Sequence, residues 1–508
     1  VIIAQILLDK FCKKTFRFKK VMVDIISVCG LFVFCAFGIG GYAVQVNAFS
    51  NVDKDMWTDL TFKNYSMQQF GTYGFYVKDL ANMVVPPSPN VTKEDAERLL
   101  ASGETELNTD AIFNGDNLII VMLESFDWFA IDPYNTPTLY NLLGDSVVFS
   151  DFISYNKTNI SEDIGLLGYM PFDEQFNVSS GDGLATKYSL PNLFKAQGYQ
   201  TNYIHSYVSN FYNRNVINKR IGFDNMYFLD DAEIENKSSS FDMWNSEVDI
   251  FNFYKEQIAP TDGSKFMSFY LTVGTHGSYQ TEVFSKYYDQ YEDTVANTDY
   301  VEWMEEQGFV FPEEENMYKI LREFKCAAID TDKMISQLLE HLYTPLADDS
   351  RLIDNTNLVF YADHSAYYHE LCFKMKGTDS KNYSQVKSFN VPLFIYSEKL
   401  EAQKVETFTH TYDIFPTICQ LYGLPYNTYM ALGAPLLDSD GSVYDDVYRI
   451  YYSQMLGYYT EKFYSSSVVN PVALVEDVTK EEYLEYNEKV WDYYNRQKVL
   501  NWIYKFNW

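Results

Sequence analysis

The chain has 508 residues, 47% of them hydrophobic and 21% charged, which is enough apolar surface for a large core and argues against a disordered protein. Its formal net charge of −31 argues against nucleic acid as a partner, because phosphate backbones bind to basic surfaces. An acidic protein also repels anions, so any phosphate chemistry here needs a cation. The six cysteines form neither a disulfide framework nor a CxxC metal-binding motif.

The amino-terminal part of the chain has the pattern of a membrane anchor. Residues 25–46 carry no charge, and about 20 apolar residues are enough to cross a bilayer. We therefore predict a transmembrane helix over residues 21–46, in preference to a buried core helix or a cleaved signal peptide. Residues 1–20 are predicted to be the end of an earlier membrane helix followed by a basic loop. Basic loops stay in the cytoplasm, so we expect the rest of the chain to lie outside the cell.

Three further segments follow the predicted anchor. Residues 47–110 are predicted to be a juxtamembrane connector that contains a short helix, because Thr92 and Asp95 have the spacing of a capping box. A folded domain is predicted over residues 111–440. Residues 441–508 are predicted to be a tyrosine-rich extension that ends in an amphipathic helix.

Within the folded domain, short apolar runs alternate with helical patterns. Apolar runs without polar alternation indicate strands that are buried on both faces. The predicted strands are residues 117–123, 147–152, 199–204, 266–273, 357–362 and 391–396. Helices are predicted at residues 189–198 and 317–343, and an acidic surface insertion at residues 281–316. This order predicts an α/β sandwich with a largely parallel central sheet.

Side chains that can bind metals follow four of the predicted strands. They are Glu124, His205, His276, and Asp363 together with His364. The carboxyl ends of parallel strands form the edge at which open α/β sheets bind ligands. Each residue alone could equally be a helix cap or a hydrogen-bonded structural group, but their common position favours a binding site. Two carboxylates and an imidazole suit one divalent cation such as Mn²⁺, Mg²⁺ or Zn²⁺.

A candidate nucleophile follows the second predicted strand. Thr158 lies in a polar loop beside Lys157, at the same predicted edge of the sheet. A threonine hydroxyl is a weak nucleophile unless a metal or a base lowers its pKa. The alternative is that Thr158 or Ser161 only caps a helix.

Six segments in this order resemble the lipoteichoic acid synthase branch of the alkaline phosphatase/sulfatase superfamily. They are VMLESF (121–126), NKTNISE (156–162), FYNRNVINKRIGFDNMYF (211–228), LTVGTHGSY (271–279), YADHSA (361–366) and DIFPTICQLYGLP (413–425). The resemblance implies a sulfatase-like fold and a bacterial membrane enzyme whose catalytic domain is extracellular. It departs from the usual family pattern at Tyr212, where tryptophan is usual.

The resemblance also implies roles for individual residues. Glu124, Thr158, Asp363 and His364 would bind one divalent cation, with Mn²⁺ as the first choice, and Thr158 would be the nucleophile. The predicted substrate-binding residues are Lys157, His205, Tyr212, Arg214, His276 and His369.

The implied reaction has two steps. Thr158 attacks a phosphatidylglycerol-like lipid, and the covalent glycerol phosphate then passes to an acceptor. The acceptor would be a glycerol phosphate polymer, a glycolipid or a glucan. The alternatives are a phosphoethanolamine transferase of the same fold and a catalytically inactive surface-binding domain. A sulfatase in the strict sense would need a C/S-x-P-x-R segment, which this sequence does not contain.

Overall fold

The structure is a computed structural model. It describes residues 26–30, 33, 57–58, 60, 63–88, 91–170, 183–235, 237–240, 243–279, 281–378, 386–444, 449–453, 457–465, 472–473, 478–506 and 508. The segment at 1–20 and most of the predicted transmembrane helix at 21–46 lie outside these residues. No helix within the described ranges is long and apolar enough to cross a membrane.

The chain divides into two compact units, Val1–Asn90 and Val91–Trp508. The described part of the first unit contains helix α1 (Lys63–Val84), which is interrupted at Gly71, where φ is 73°. Before this helix, the ring of Trp57 packs edge-on against Phe70, with 5.1 Å between the ring centroids.

The second unit is built around a central sheet. Its strands and those of two smaller sheets are β1 (Asn117–Leu123), β2 (Ser146–Phe149), β3 (Phe152–Ile153), β4 (Gln200–His205), β5 (Asn225–Phe228), β6 (Phe266–Leu271), β7 (Thr356–Ala362), β8 (Leu393–Tyr396), β9 (Gln403–Val405), β10 (Thr409–His410), β11 (Tyr451–Ser453), β12 (Gly457–Tyr459), β13 (Phe463–Ser465) and β14 (Val472–Ala473). The central sheet has eight strands in the order β5-β4-β6-β1-β7-β8-β2-β9. Strand β8 runs antiparallel to both neighbours and the other pairs are parallel. The prediction of a largely parallel α/β fold is therefore confirmed.

All residues of β6 and β7 are buried, and successive side chains of a strand point to opposite faces of the sheet. Both faces of the central sheet are therefore covered by other elements, chiefly helices. The helices are α2 (Lys93–Ala101), α3 (Pro137–Gly144), α4 (Thr158–Leu167), α5 (Leu184–Lys187), α6 (Leu190–Ala196), α7 (Arg214–Ile221), α8 (Glu247–Ile258), α9 (Thr281–Phe284), α10 (Tyr288–Val295), α11 (Thr298–Glu306), α12 (Glu315–Tyr343), α13 (His369–Met375), α14 (Ile414–Tyr422) and α15 (Lys480–Phe506). The capping box predicted at Thr92 is present and begins α2.

Helix α4 ends at a glycine that its packing requires. Gly168 has φ of 77° and forms the left-handed cap of the helix. A Cβ atom at this position would lie 2.7 Å from the ring of Phe415, which belongs to α14. A larger residue here would therefore be strained and would push α4 away from α14.

Two regions differ from the simple sequence pattern. Residues 281–316 contain α9, α10 and α11, and the side chains of Tyr291 and Tyr300 are fully buried there. This segment is therefore helical and anchored by a few buried aromatic side chains, while most of its residues are exposed, as expected for a surface insertion. In the tyrosine-rich part of the chain, β11 to β14 form a small antiparallel sheet. The Tyr451 hydroxyl in this sheet donates a hydrogen bond of 2.5 Å to Asp413 at the start of α14.

Candidate active site

The central strands place two carboxylates side by side. Glu124 directly follows β1 and Asp363 directly follows β7, and these neighbouring strands are paired so that Leu123 lies opposite Ala362. Immediately after Glu124 the chain turns sharply, because the backbone of Ser125 has φ of 50°. The strand register therefore brings both acids to the carboxyl edge of the sheet, as the sequence predicted.

Glu124, Asp363 and His364 each present one possible ligand atom, and these atoms lie within 4.8 Å of one another. His364 Nε2 is 3.3 Å from Asp363 Oδ2 and 3.7 Å from Glu124 Oε1. The backbone N–H groups of Ser125 and His364 donate to Asp363 Oδ1 at 2.7 and 2.8 Å. Asp363 Oδ2 is buried and accepts no hydrogen bond. An unsatisfied buried carboxylate oxygen, facing a second carboxylate and an imidazole, fits a divalent cation.

The charges in this cluster shift the pKa of each member. Burial, and after it the Glu124 charge, raise the pKa of Asp363 to about 7. Burial alone would raise the pKa of Glu124, but the charges of His276 and His364 outweigh it and lower that pKa. Burial opposes ionisation of His364, but the two carboxylates outweigh it and raise its pKa. The metal-free cluster therefore retains protons that a cation would displace.

Thr158 is the first residue of α4 and lies against the cluster. Its hydroxyl donates a hydrogen bond of 3.0 Å to Glu124 Oε2. The start of the helix is held in place by Ser154 and Ser161, whose hydroxyls both donate to the backbone carbonyl of Asp363, the latter at 2.8 Å. The nucleophile predicted from the sequence and the predicted metal ligands thus lie together.

Two further predicted site residues lie close together: His205 ends β4, and Arg214 begins α7. The Tyr212 and Asn213 backbones are both left-handed, with φ of 55° and 56°, and this tight turn leads into α7 at Arg214. The guanidinium donates to Glu162 at 2.9 Å, and its Nη1 lies 3.4 Å from His205 Nε2. Burial and then the Arg214 charge hold the pKa of His205 well below its usual range, so its ring is neutral.

Aromatic side chains pack around His276. The ring of His276 contacts the rings of Trp244 and Tyr367, at centroid distances of 4.9 and 4.6 Å. A cleft at this edge is lined by Glu124, Thr158, His205, Tyr207, Phe211, Tyr212, Arg214, Trp244, Val273 and His276. The predicted substrate-binding residues His205, Tyr212, Arg214 and His276 therefore share one cleft with Glu124 and Thr158.

Two other predicted substrate-binding residues do not line this cleft. Lys157 is exposed and immediately precedes α4. His369 begins α13, where its ring packs against Tyr155 at a centroid distance of 5.9 Å. Burial, and after it the charge of His364, lower the pKa of His369. Their roles in substrate binding stay predictions.

Sequence reasoning missed several residues that shape the site. Glu162, the partner of Arg214, was present in the NKTNISE segment four residues after Thr158, one helical turn along the same face. Ser125, whose hydroxyl donates to Glu124 at 2.7 Å, directly follows that ligand. Trp244, which lines the cleft, had no comparable signal, because it lies in a segment away from the predicted strand ends.

A largely parallel α/β sheet with two carboxylates, an imidazole and a hydroxyl at its carboxyl edge is typical of enzymes that process phosphate or sulfate esters with a bound cation. Comparison with known proteins agrees with this class. Residues 116–424 match the sulfatase family, and the chain belongs to that family.

The relatives that the chain matches include lipoteichoic acid synthases. The chain is 24% identical over 405 residues to lipoteichoic acid synthase 2 of Bacillus subtilis (strain 168), which covers 74% of this chain and 57% of the relative. It is 22% identical over 476 residues to lipoteichoic acid synthase 1 of the same organism, covering 87% of this chain and 66% of the relative. The chain therefore spans about three-fifths of the length of these relatives.

Solved structures show the same fold. The crystal structure of the lipoteichoic acid synthase LtaP from Listeria monocytogenes superposes with a TM-score of 0.57 at 18% identity, covering 81% of this chain and 97% of that one. An alkaline phosphatase superfamily protein from Vibrio parahaemolyticus gives a TM-score of 0.54 at 17% identity, covering 85% and 95% of the two chains. The predicted resemblance to the lipoteichoic acid synthase branch of this superfamily is confirmed.

Proposed function

We propose that the chain is the catalytic part of a membrane-anchored, metal-dependent phosphoglycerol transferase of the bacterial cell envelope. The observation that carries this proposal is the convergence of Glu124, Asp363 and His364 within 4.8 Å, with the Thr158 hydroxyl 3.0 Å from Glu124. The similarity to lipoteichoic acid synthases supports glycerol phosphate as the transferred group.

Glu124, Thr158, Asp363 and His364 would hold one divalent cation, for which we propose Mn²⁺, with Mg²⁺ and Zn²⁺ as alternatives. Bound there, the cation would lower the pKa of the Thr158 hydroxyl and offset negative charge on the phosphoryl oxygens. The Thr158 hydroxyl donates its hydrogen bond to Glu124, and this contact orients the hydroxyl group within the cluster.

The transfer would proceed in two displacements. In the first, Thr158 Oγ1 forms a bond to phosphorus of a phosphatidylglycerol-like lipid, the bond from phosphorus to the diacylglycerol oxygen breaks, and the threonine proton leaves on diacylglycerol. In the second, an acceptor hydroxyl oxygen bonds to phosphorus, the bond to Thr158 breaks, and the acceptor proton returns to Thr158. The acceptor would be a glycerol phosphate polymer, a glycolipid or a glucan.

The cleft residues would bind the donor headgroup. Arg214 is suited to phosphate because its guanidinium is buried and remains charged beside Glu162, whose carboxylate raises its pKa despite that burial. The neutral ring of His205 and the ring of His276 would contact phosphoryl or glycerol oxygens, and Tyr212 would pack against the glycerol carbons. Lys157 and His369 would act further out, on the approaching lipid or acceptor.

Membrane attachment would supply the donor at high local concentration. We propose the domain division predicted from the sequence. Residues 1–20 would be the end of an earlier membrane helix followed by a basic cytoplasmic loop, and residues 21–46 a transmembrane helix. A connector at 47–110, an extracellular catalytic domain at 111–440 and an extension at 441–508 would follow. A lipid donor, a cell-surface acceptor and an outward-facing site are consistent with this arrangement.

The test is to incubate the chain in detergent micelles with labelled phosphatidylglycerol and Mn²⁺, and to search by mass spectrometry for glycerol phosphate on Thr158. We expect this adduct in the unmodified chain, loss of turnover in Thr158→Ala, and partial turnover in Thr158→Ser. A matched control is Thr298→Ala, because Thr298 is an exposed threonine that also begins a helix, α11.

Three results would count against the proposal in different ways. Full activity of Thr158→Ala would remove Thr158 from the reaction. Labelling from phosphatidylethanolamine in place of phosphatidylglycerol would favour the phosphoethanolamine transferase alternative. A purified chain that binds no metal even with added Mn²⁺, and that processes neither lipid, would favour an inactive binding domain.

A further inference from the structure

Glu247 is a buried carboxylate that the proposed reaction does not use. It is the first residue of α8 and is fully buried. Its Oε2 atom accepts hydrogen bonds from the hydroxyls of Ser206 at 2.6 Å and Tyr270 at 2.8 Å. Its Oε1 atom accepts from the backbone N–H groups of Val273 at 2.6 Å and Gly274 at 3.0 Å. Four neutral donors therefore surround a charge that is costly to bury, which calls for an explanation.

The four donors lie on the two segments that carry the imidazoles of the cleft. Ser206 directly follows His205 at the end of β4, and Val273 and Gly274 lead from β6 to His276. The His276 N–H in turn donates to the Val273 carbonyl at 2.9 Å. One carboxylate thus connects the ends of two neighbouring strands just behind His205 and His276.

The loop after β6 is held from its other side by the backbone of a predicted metal ligand. The Glu124 N–H donates to the Thr272 hydroxyl at 2.9 Å, and the Thr275 hydroxyl donates to the Glu124 carbonyl at 2.5 Å. The segment from Thr272 to His276 therefore lies between Glu124 and Glu247. A change at Glu247 would alter the position of His276 relative to Glu124.

We propose that Glu247 is a positioning residue, which fixes His205 and His276 relative to the metal cluster and thereby sets the affinity for the phosphorylated donor. This inference rests on the proposed function. Glu247 acts through the two loops and does not itself line the cleft. The competing explanation is that Glu247 only stabilises the start of α8.

The first test compares three variants by steady-state kinetics with phosphatidylglycerol in mixed micelles. Glu247→Gln keeps the shape and an oxygen for Val273 and Gly274, while its amide can donate to the two hydroxyls, so KM should stay within about twofold. Glu247→Ala leaves two N–H groups unpaired, and we expect KM to rise by about tenfold or more. Glu247→Asp keeps the charge on a shorter side chain, and its KM should lie between those of the Gln and Ala variants. It replaces Glu247→Ala as the test variant if the alanine variant fails to fold.

A matched control lies next to Glu247 in the chain. The Ser246 hydroxyl donates to Asp330 of α12 at 2.8 and 3.0 Å, and it contacts the same end of α8 but neither loop. Ser246→Ala should lower the melting temperature and leave KM unchanged. If Glu247 only stabilises α8, its variants will behave in the same way, with fewer active molecules, a lower apparent kcat and an unchanged KM.

A second measurement does not depend on activity. Hydrogen–deuterium exchange of peptides that cover residues 271–279 should accelerate in Glu247→Ala or Glu247→Asp and not in Ser246→Ala. Unchanged KM together with unchanged exchange in both Glu247 variants would overturn the inference. An unmodified chain that does not consume phosphatidylglycerol would instead refute the proposed function, and the exchange experiment would still test the position of the loop.

Discussion

Replacing Asp363 by asparagine should stabilise the metal-free protein while abolishing its stabilisation by Mn²⁺. Burial and the Glu124 charge raise the pKa of Asp363 from its ordinary 3.8 to about 7. Between these values the folded chain holds more protons than the unfolded chain, so the free energy of unfolding falls as pH rises, and the full loss is present above about pH 7. At about 1.4 kcal/mol for each tenfold change in an equilibrium constant, this loss is on the order of 4 kcal/mol.

Asparagine can remove this penalty with little change in geometry. Its carbonyl oxygen can keep the hydrogen bonds from the Ser125 and His364 N–H groups, which now reach Asp363 Oδ1 at 2.7 and 2.8 Å. Its amide group would replace the unsatisfied Oδ2 and could donate to Glu124. We therefore expect metal-free Asp363→Asn to unfold with a free energy about 2 to 4 kcal/mol higher than the unmodified chain at about pH 8.

The assay is thermal and urea unfolding with a chelator, and then with Mn²⁺ at 100 times its dissociation constant. The unmodified chain should gain about 2.7 kcal/mol from Mn²⁺, and Asp363→Asn should gain almost nothing. The control is Asp332→Asn, at a buried carboxylate of α12 that binds the Thr138 and Leu139 N–H groups, which should keep the response to Mn²⁺. A metal-free Asp363→Asn that melts below the unmodified chain, or equal stabilisation of both by Mn²⁺, would refute the reasoning.

Two further predictions concern buried charges outside the metal cluster. Glu162→Gln should lower the free energy of unfolding by about 3 to 5 kcal/mol in urea titrations, because it leaves the buried Arg214 without its carboxylate partner. Burial lowers the pKa of His410 from 6.5 to about 3. Between these two pH values the unfolded chain binds more protons than the folded chain. The free energy of unfolding therefore falls as pH falls from about 6.5 to about 3, by at most about 1.4 kcal/mol per pH unit. His410→Phe should therefore flatten the acid side of a plot of melting temperature against pH, and an unchanged slope would contradict this.

The central strands were predictable because burial on both faces leaves a simple pattern. The run at 117–123 coincides with β1, and the run at 357–362 is one residue shorter than β7. Short strands such as β5 and β9 were not predicted, because NMYF (225–228) and QKV (403–405) contain polar residues and lack the continuous apolar run that marked the equally short β8. The fully buried Tyr291 and Tyr300 were also missed, since tyrosine is common both in cores and on surfaces.

The predicted position of the metal ligands followed from one rule, that parallel strands end at the same edge of a sheet, whereas the roles of Tyr212 and Arg214 came from the family resemblance. The rule brought Glu124 and Asp363 to one edge, but only the strand order β6-β1-β7 makes them neighbours. No local pattern could reveal Glu247, because its partners lie 26 and 27 residues later on the β6 loop and 41 residues earlier after β4. Contacts of this kind depend on how α8 packs against the sheet.

The distribution of satisfied and unsatisfied polar atoms separates the support of the site from its reactive part. Glu247 is buried and all the polar contacts around it are made, as expected for a group whose task is to hold backbone in place. Asp363 is equally buried, yet its Oδ2 accepts no hydrogen bond and faces a second acid. Burying that oxygen without a hydrogen bond, with the His364 imidazole 3.3 Å away, lowers stability, and a bound cation would restore the loss. The Asp363 and Glu247 variants should therefore respond oppositely: removal of charge stabilises the metal-free protein at the first position, while loss of the side chain destabilises it at the second.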